Sequence, residues 1–125
     1  MKTNILVVDD DHQMRLALKE SLTKAGYAVS LAEDGQQGVD AFKRNPFDLV
    51  ITDVRMPHKN GLELLTSIKE GTSLVPIILI TAYGTITDAV KAIKEGAFDY
   101  IQKPFDTEQL IATVERAIYR DTPRR

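Results

Sequence analysis

Short apolar runs alternate with longer amphipathic segments along this chain. Five of the runs have the length and composition of strands, at residues 5–8, 27–32, 49–52, 77–80 and 100–102. The runs at 5–8, 49–51 and 77–80 are continuously apolar, which is typical of parallel strands that helices cover on both faces. The run at 27–32 alternates large and small side chains, so we predict that it lies at an edge of the sheet.

Between these runs, apolar residues recur every three or four positions, which predicts helices. The best defined faces consist of Met14, Leu18, Leu22 and Ala25, of Ile86, Val90 and Ile93, and of Leu110, Val114, Ala117 and Ile118. Two shorter faces, Val39 with Phe42 and Leu62 with Leu65 and Ile68, complete the alternation of strands and helices.

Start and stop signals mark the predicted helices. Asp34 and Asp106 each stand three positions before a glutamine, as in a capping box, and Thr85 begins a looser version. Glycines stand where left-handed helix ends are expected, at Gly26, Gly71 and Gly96. The alternation predicts a (βα)5 chain. Right-handed crossovers then favour a doubly wound, flavodoxin-like α/β fold, with a five-stranded parallel sheet in the order 2-1-3-4-5 and helices on both faces.

Composition narrows the class of protein. The 125 residues suffice for one domain, and 18 acidic against 16 basic side chains give no reason to expect direct binding of nucleic acid or a membrane. The chain has no cysteine, no apolar run long enough to span a bilayer and no export signal, so we expect a cytoplasmic protein. The predicted domain covers residues 1–119. Residues 120–125 lose apolar periodicity and contain three arginines, as at the start of a linker.

Four predicted strands end in polar residues. Strand 1 runs into the three aspartates at 9–11 and strand 3 into Asp53, and the strand order reverses between these two strands, where ligands bind in such sheets. Two carboxylates about 4 Å apart repel by roughly 4 kcal/mol at an effective dielectric near 20, so the group calls for a divalent cation or a lysine. Strand 4 ends at Thr81 and strand 5 at Lys103, which places a hydroxyl and an ammonium on the same rim.

Each of these residues has an ordinary structural explanation by itself. Aspartates before a helix complement its dipole, Thr81 can cap a turn, Lys103 can be a surface charge and Tyr100 a half-buried strand aromatic. Polar groups at four strand ends on one rim favour a common site instead. A carboxylate beside a cation and a lysine can act as a nucleophile toward phosphorus and form an acyl phosphate.

Other site types find little support in the sequence. The two histidines, His12 and His58, lack metal-ligand spacing, and we interpret both as surface residues. No glycine-rich dinucleotide loop and no Gly-Lys-Ser/Thr loop occurs, which argues against nucleotide binding.

The segments VVDDD at 7–11, DVRMP at 53–57 with Gly61, TA at 81–82 and KP at 103–104 occur in this order. Through them, residues 4–118 resemble the response-regulator receiver domains of two-component systems. The resemblance implies that Asp53 accepts a phosphoryl group from a sensor histidine kinase, with Mg²⁺, or alternatively Mn²⁺, as cofactor. It implies that Asp53 also binds the metal, together with Asp10 directly, Asp9 through water, and Arg55 through its main-chain carbonyl.

The same resemblance implies a conformational switch. Thr81 and Tyr100 would be the switch pair, Ala82 would contact the phosphoryl group beside Thr81, and Lys103 would bond it. Lys103–Pro104 would be a cis peptide. Phosphorylation is then expected to rearrange the face formed by helix 4, strand 5 and helix 5, roughly residues 84–118.

The segment GAFDYIQKPF at 96–105 is similar to receivers of nitrogen-regulatory type activators, which carry an AAA+ ATPase and a DNA-binding helix-turn-helix downstream. This implies output domains of that kind after the receiver and a homodimer through the helix 4, strand 5 and helix 5 face, with no nucleic-acid binding by the receiver itself. Residues 58–60, His-Lys-Asn, depart mildly from the family pattern of a glycine and an acidic residue.

Two other functions are left as alternatives. A phosphohydrolase of the haloacid-dehalogenase type also forms an aspartyl phosphate, but it places an acid two residues after the nucleophile, where this chain has Arg55. A flavodoxin-like binding module needs amides and positive charge after strand 1, where this chain is acidic. We therefore expect a phosphoacceptor domain rather than an enzyme, with at most intrinsic self-phosphorylation and autodephosphorylation.

Overall fold

The computed structural model describes residues 2–54, 60–71, 74–82 and 86–119. Strands and helices alternate along the chain. The strands are β1 (Asn4–Val8), β2 (Ala28–Ala32), β3 (Leu49–Asp53), β4 (Ile77–Thr81) and β5 (Asp99–Gln102). The helices are α1 (His12–Lys24), α2 (Gly35–Arg44), α3 (Gly61–Gly71), α4 (Ile86–Lys94) and α5 (Thr107–Tyr119). The predicted (βα)5 chain is confirmed, with strand ends shifted by one residue.

The five strands form one parallel sheet in the order β2-β1-β3-β4-β5. This confirms the predicted order and the edge position of β2. Ile5 lies opposite Leu49 where β1 pairs with β3, and Asp53 lies opposite Ile80 where β3 pairs with β4. The ends of β1 and β3 are therefore neighbours at the point where the strand order reverses.

Helices cover both faces of the sheet. Successive strand residues point to opposite sides and therefore pack against different helices. Leu6, Val8 and Val50 belong to a core cluster that includes buried residues of α2, α3 and α4. Ile5, Val7 and Ile51 belong to a second cluster with α1 and α5. Burial on both faces explains why these strands read as continuous apolar runs.

The helix boundaries follow the predicted signals. The Asp34 side chain accepts a hydrogen bond from the Gln37 amide, and the Asp106 side chain accepts one from the Gln109 amide. Gly26 and Gly96 have φ angles of 101° and 112°, in the left-handed region that glycine tolerates. Gly71 is the last residue of α3.

Two predicted helix faces differ from the structure. Ala25 is the C-cap of α1 and is exposed, because the helix has ended before its side chain reaches the core. On α4, Val90 and Ile93 are 47% and 42% exposed, while Ala92 is buried. The apolar face that the spacing predicted on α4 therefore includes residues that point to solvent.

Several predicted features lie outside the described residues. These are Arg55, His58, Thr85 and the linker at 120–125. None of the helices that the structure describes has the length and apolar character needed to cross a bilayer.

Candidate functional site

The carboxyl ends of β1 and β3 present two buried carboxylates. Asp9, directly after β1, is fully buried, and Asp53, the last residue of β3, is 8% exposed. Asp10 follows on the exposed rim. Carboxylate oxygens of Asp9, Asp10 and Asp53 all lie within 4.8 Å of one another. The structure thus brings together three of the four carboxylates that the strand order predicted at this edge, while Asp11 caps α1.

Lys103 supplies a cation to two of these carboxylates. Its Nζ donates a hydrogen bond to Asp53 Oδ2 at 3.1 Å and lies 3.8 Å from Asp9 Oδ2. The main chain of Lys103 donates to the Thr81 carbonyl at 2.7 Å, which fixes the end of β5 against β4. The Lys103–Pro104 peptide bond is cis. One ammonium is therefore shared between two acidic groups, and negative charge remains in excess.

Main-chain contacts hold Asp9 in place on two sides. Its amide donates to the Ala32 carbonyl of β2 at 3.1 Å, and its Oδ1 accepts from the Asp11 amide at 2.8 Å. Asp11 itself is the N-cap of α1 and accepts from two amides in the first turn. The turn after β1 therefore directs Asp9 Oδ2 toward the other carboxylates.

The pKa of Asp9 is raised to about 6, above its ordinary value of 3.8. Burial is the largest cause, and the negative charges of Asp53 and Asp10 raise the pKa further. The hydrogen bond from the Asp11 main chain and the charge of Lys103 lower it. Lys103 therefore offsets only part of the cost of a charged Asp9.

The donor set fits a hard divalent cation. Within the described part of the chain, Asp9 Oδ2 is buried and has no hydrogen-bond partner. A buried oxygen of this kind is costly unless something positive binds it. Three carboxylates at one edge are the ligands that Mg²⁺ prefers, together with water molecules. The Arg55 carbonyl, the further ligand that the resemblance implies, lies outside the described residues.

The remaining predicted residues occupy different parts of the rim. Thr81 ends β4 one residue beyond Ile80, the residue that lies opposite Asp53, and Ala82 follows in an exposed position. Tyr100 lies on the edge strand β5 and is 37% exposed. Thr81 and Ala82 are thus at the end of the sheet that carries Asp53, whereas Tyr100 has an outward-facing side chain.

The structure shows two residues next to the site carboxylates to which the sequence assigned no role. Arg15 of α1 is 9% exposed and donates from Nη1 to the Asp9 main-chain carbonyl at 2.7 Å, a contact that the sequence analysis missed. An arginine six residues after Asp9, between core-facing helix positions, was the available signal. Gly61 was part of a motif without a stated role. Its amide donates to the Val54 carbonyl, and a Cβ at Gly61 would overlap the Asp53 carbonyl oxygen.

Comparisons with known proteins identify the family of this chain. Residues 5–115 match the response regulator receiver domain model. The chain is 41% identical over 112 residues to the DNA-binding transcriptional regulator NtrC of Klebsiella pneumoniae, covering 90% of this chain and 24% of that protein. It is 42% identical over 122 residues to the transcriptional regulatory protein FixJ of Bradyrhizobium diazoefficiens, covering 98% of this chain and 60% of that protein.

A solved structure has the same fold. NtrX from Brucella abortus superposes with a TM-score of 0.91 at 34% identity, over 96% of this chain and 28% of that chain. The chain therefore spans between about a quarter and three fifths of the length of these relatives. Family match, fold and strand-end carboxylates agree, and the chain belongs to the response regulator receiver domain family.

Proposed function

We propose that this receiver domain is a phosphorylation-activated switch of a two-component phosphorelay, in which Asp53 accepts a phosphoryl group from a sensor histidine kinase. The observation that carries the proposal is the Asp53 carboxylate, which lies 3.1 Å from the Lys103 ammonium and beside two further carboxylates that suit Mg²⁺ or Mn²⁺.

In the proposed reaction, an Asp53 carboxylate oxygen attacks the phosphorus atom of the kinase phosphohistidine. A phosphorus–oxygen bond forms as the phosphorus–nitrogen bond breaks, and the histidine leaves as imidazole after taking up a proton. Lys103 donates a hydrogen bond to the transferring group and balances part of its charge. Asp9 and Asp10 would hold the divalent cation, which would supply the remaining positive charge.

The switch that we propose begins at the new phosphoryl group. The Thr81 hydroxyl and the rim at Ala82 are drawn toward it, and Tyr100 turns inward from its exposed position on β5. A shift from about 1:99 to 99:1 requires the phosphoryl contacts to favour the active state by about 5.5 kcal/mol. A few charge-assisted hydrogen bonds of about 1.5–3 kcal/mol each can supply that bias.

The output surface in this proposal is the face formed by α4, β5 and α5, through which the domain forms a homodimer. Its support is the exposed apolar group of Val90, Ile93 and Tyr100 on that face. The relatives NtrC and FixJ are transcriptional regulators longer than this chain. We therefore propose a receiver at 1–119, a linker beginning at 120–125, and AAA+ and DNA-binding output domains beyond it.

Intact-mass measurement tests the phosphoacceptor. The protein is incubated with acetyl phosphate or a phosphorylated kinase, with Mg²⁺ or with excess chelator. We expect one phosphoryl group on the wild-type protein with Mg²⁺, and none on Asp53→Asn. The matched control is Asp48→Asn, which changes an exposed aspartate at the other end of β3. Equal phosphorylation of Asp53→Asn, or full reaction in chelator, contradicts the proposal.

A further inference from the structure

We infer that Arg15 is a positioning residue that orients the metal-binding carboxylates of the turn after β1. The inference rests on the proposed function, because it concerns the same divalent cation. The guanidinium is almost buried, donating from Nη1 to the Asp9 main-chain carbonyl at 2.7 Å. Its Nη2 lies 3.2 Å from His12 Nδ1, so the side chain joins the end of β1 to the first turn of α1.

Three hydrogen bonds fix Asp9, and Arg15 supplies the one that comes from a side chain. The Asp9 amide bonds to Ala32 and its Oδ1 accepts from the Asp11 amide, and both of these partners are main-chain groups. The Asp9 carbonyl accepts from the Arg15 guanidinium. Substitution of Arg15 therefore removes one of these three hydrogen bonds and leaves the backbone partners and all three carboxylates in place.

The contact with Arg15 also controls Asp10. The Asp9 carbonyl and the Asp10 amide belong to one planar peptide unit, so a hydrogen bond that fixes the carbonyl fixes the plane from which Asp10 departs. Asp10 itself is exposed, and packing does little to hold its side chain. The orientation of this peptide is therefore the means by which the fold directs the Asp10 carboxylate toward Asp9 and Asp53.

Charge alone predicts the opposite effect of a substitution. The arginine side chain is positive at all ordinary pH values, and a positive charge near the carboxylates opposes the binding of another cation. Loss of the Arg15 charge by itself would tighten Mg²⁺ binding, whereas loss of positioning would weaken it. The sign of the change in affinity therefore separates the two roles.

The experiment is a Mg²⁺ titration of Arg15→Met, Arg15→Gln and Arg15→Lys, followed by amide chemical shifts, with urea unfolding measured on each variant. We expect about a 10-fold weaker Mg²⁺ affinity for Arg15→Met and Arg15→Gln, in line with the loss of groups that orient metal ligands. Arg15→Lys retains a donor for the Asp9 carbonyl and recovers most of the loss. In metal-free spectra, the largest shift changes fall on residues 9–11.

Lys69→Met is the matched control. Lys69 Nζ also donates to a main-chain carbonyl, that of Val75 at 3.1 Å, but at the opposite end of the sheet. This variant is expected to lose stability without a change in Mg²⁺ affinity.

Unchanged or tighter Mg²⁺ binding by Arg15→Met and Arg15→Gln overturns the inference, as does an equal loss in Lys69→Met. Because the Gln variant keeps a polar group at the buried position, it replaces the Met variant if that protein does not fold. Failure of the wild-type protein to bind Mg²⁺ would defeat the proposed function as well. Binding by the wild type that the Arg15 variants retain in full defeats this inference alone.

Discussion

Aspartates at the two ends of the central strands differ in burial and in hydrogen bonding. At the amino end, Asp48 is exposed and its Oδ2 accepts from the Asn4 amide at 2.8 Å, while the Asp48 amide donates to the Asn4 carbonyl at 2.8 Å. At the carboxyl end, Asp9 is buried, Oδ2 lacks a hydrogen bond among the described residues, and burial raises its pKa to about 6. The same type of side chain joins two strands at one end and carries a charge that Lys103 only partly compensates at the other.

Within one sheet, polar groups at the amino end therefore contribute to stability, whereas the acidic groups at the carboxyl end reduce it and form the candidate site. The amino end satisfies its polar groups and gains stability from each contact. The carboxyl end keeps acidic groups close together, which costs free energy unless a cation binds. Substitutions of aspartate at the two ends should therefore change the free energy of unfolding by different amounts and with opposite signs.

The largest effect is expected from Gly61→Ala, because the added Cβ would overlap the Asp53 carbonyl oxygen and the backbone must shift. We expect the free energy of unfolding to fall by about 3 kcal/mol, as for severe overpacking. Gly96→Ala is the control at the amino end. There the Cβ meets only the flexible Lys69 side chain, and the cost is the left-handed φ, about 1 kcal/mol. Equal losses in urea unfolding would show that the carboxyl end is not the more tightly packed one.

Asp9→Asn is expected to stabilise the metal-free protein near neutral pH by about 2 kcal/mol, since it removes a buried charge whose pKa is raised. Between pH 4 and 6 the folded wild-type protein binds more protons at Asp9 than the unfolded chain does. The contribution of Asp9 to stability is therefore fully present below about pH 4 and lost as pH rises through about 6.

Urea unfolding of both proteins across this pH range, without divalent cation, measures the effect. Titrating groups that do not interact with Asp9 cancel in the difference between variant and wild type. The advantage of Asp9→Asn should be small at low pH, grow toward pH 6 and disappear when saturating Mg²⁺ stabilises the wild type. An advantage that is constant with pH would contradict the account.

The smallest effect is expected from Asp48→Ala, which removes an exposed hydrogen bond between the amino ends of β1 and β3. We expect a loss of under about 1 kcal/mol in the free energy of unfolding, and unchanged Mg²⁺ affinity. Asp48→Asn keeps an acceptor for the Asn4 amide and should lose less. A gain in stability on removing Asp48 would abolish the contrast with Asp9.

The sequence predicted most of the fold because the three central strands are buried on both faces. Runs such as 5–8 and 77–80 admit few alternatives, and the order of the strands follows from short right-handed connections. The outward position of Val90 and Ile93 was not predictable in the same way. Periodicity shows that residues share a helix face, but not whether another element covers that face.

The candidate site was predictable in its members and not in its geometry. Strand order alone brought Asp9, Asp53 and Lys103 to one edge. It did not show that one ammonium serves both carboxylates or that Asp9 Oδ2 lacks a hydrogen bond, because such details depend on side-chain distances. Arg15 was missed because its role is a contact with a main-chain carbonyl. The reciprocal hydrogen bonds between Asn60 and Glu63 at the start of α3 were also missed, although the Asn-x-x-Glu capping pattern was present.

The pairing of β1 with β3 has a consequence for how the chain acquires this site. Asn4 and Asp48, which bond the starts of these strands, are 44 positions apart, and Lys103 is 50 positions from Asp53. Contacts between such distant residues close large loops and form slowly. The acidic edge is thus formed by contacts between residues far apart in the sequence. Lys103, whose ammonium offsets part of its charge, follows the last strand. In a chain still emerging from the ribosome, the acidic edge lacks the Lys103 ammonium until β5 has joined the sheet.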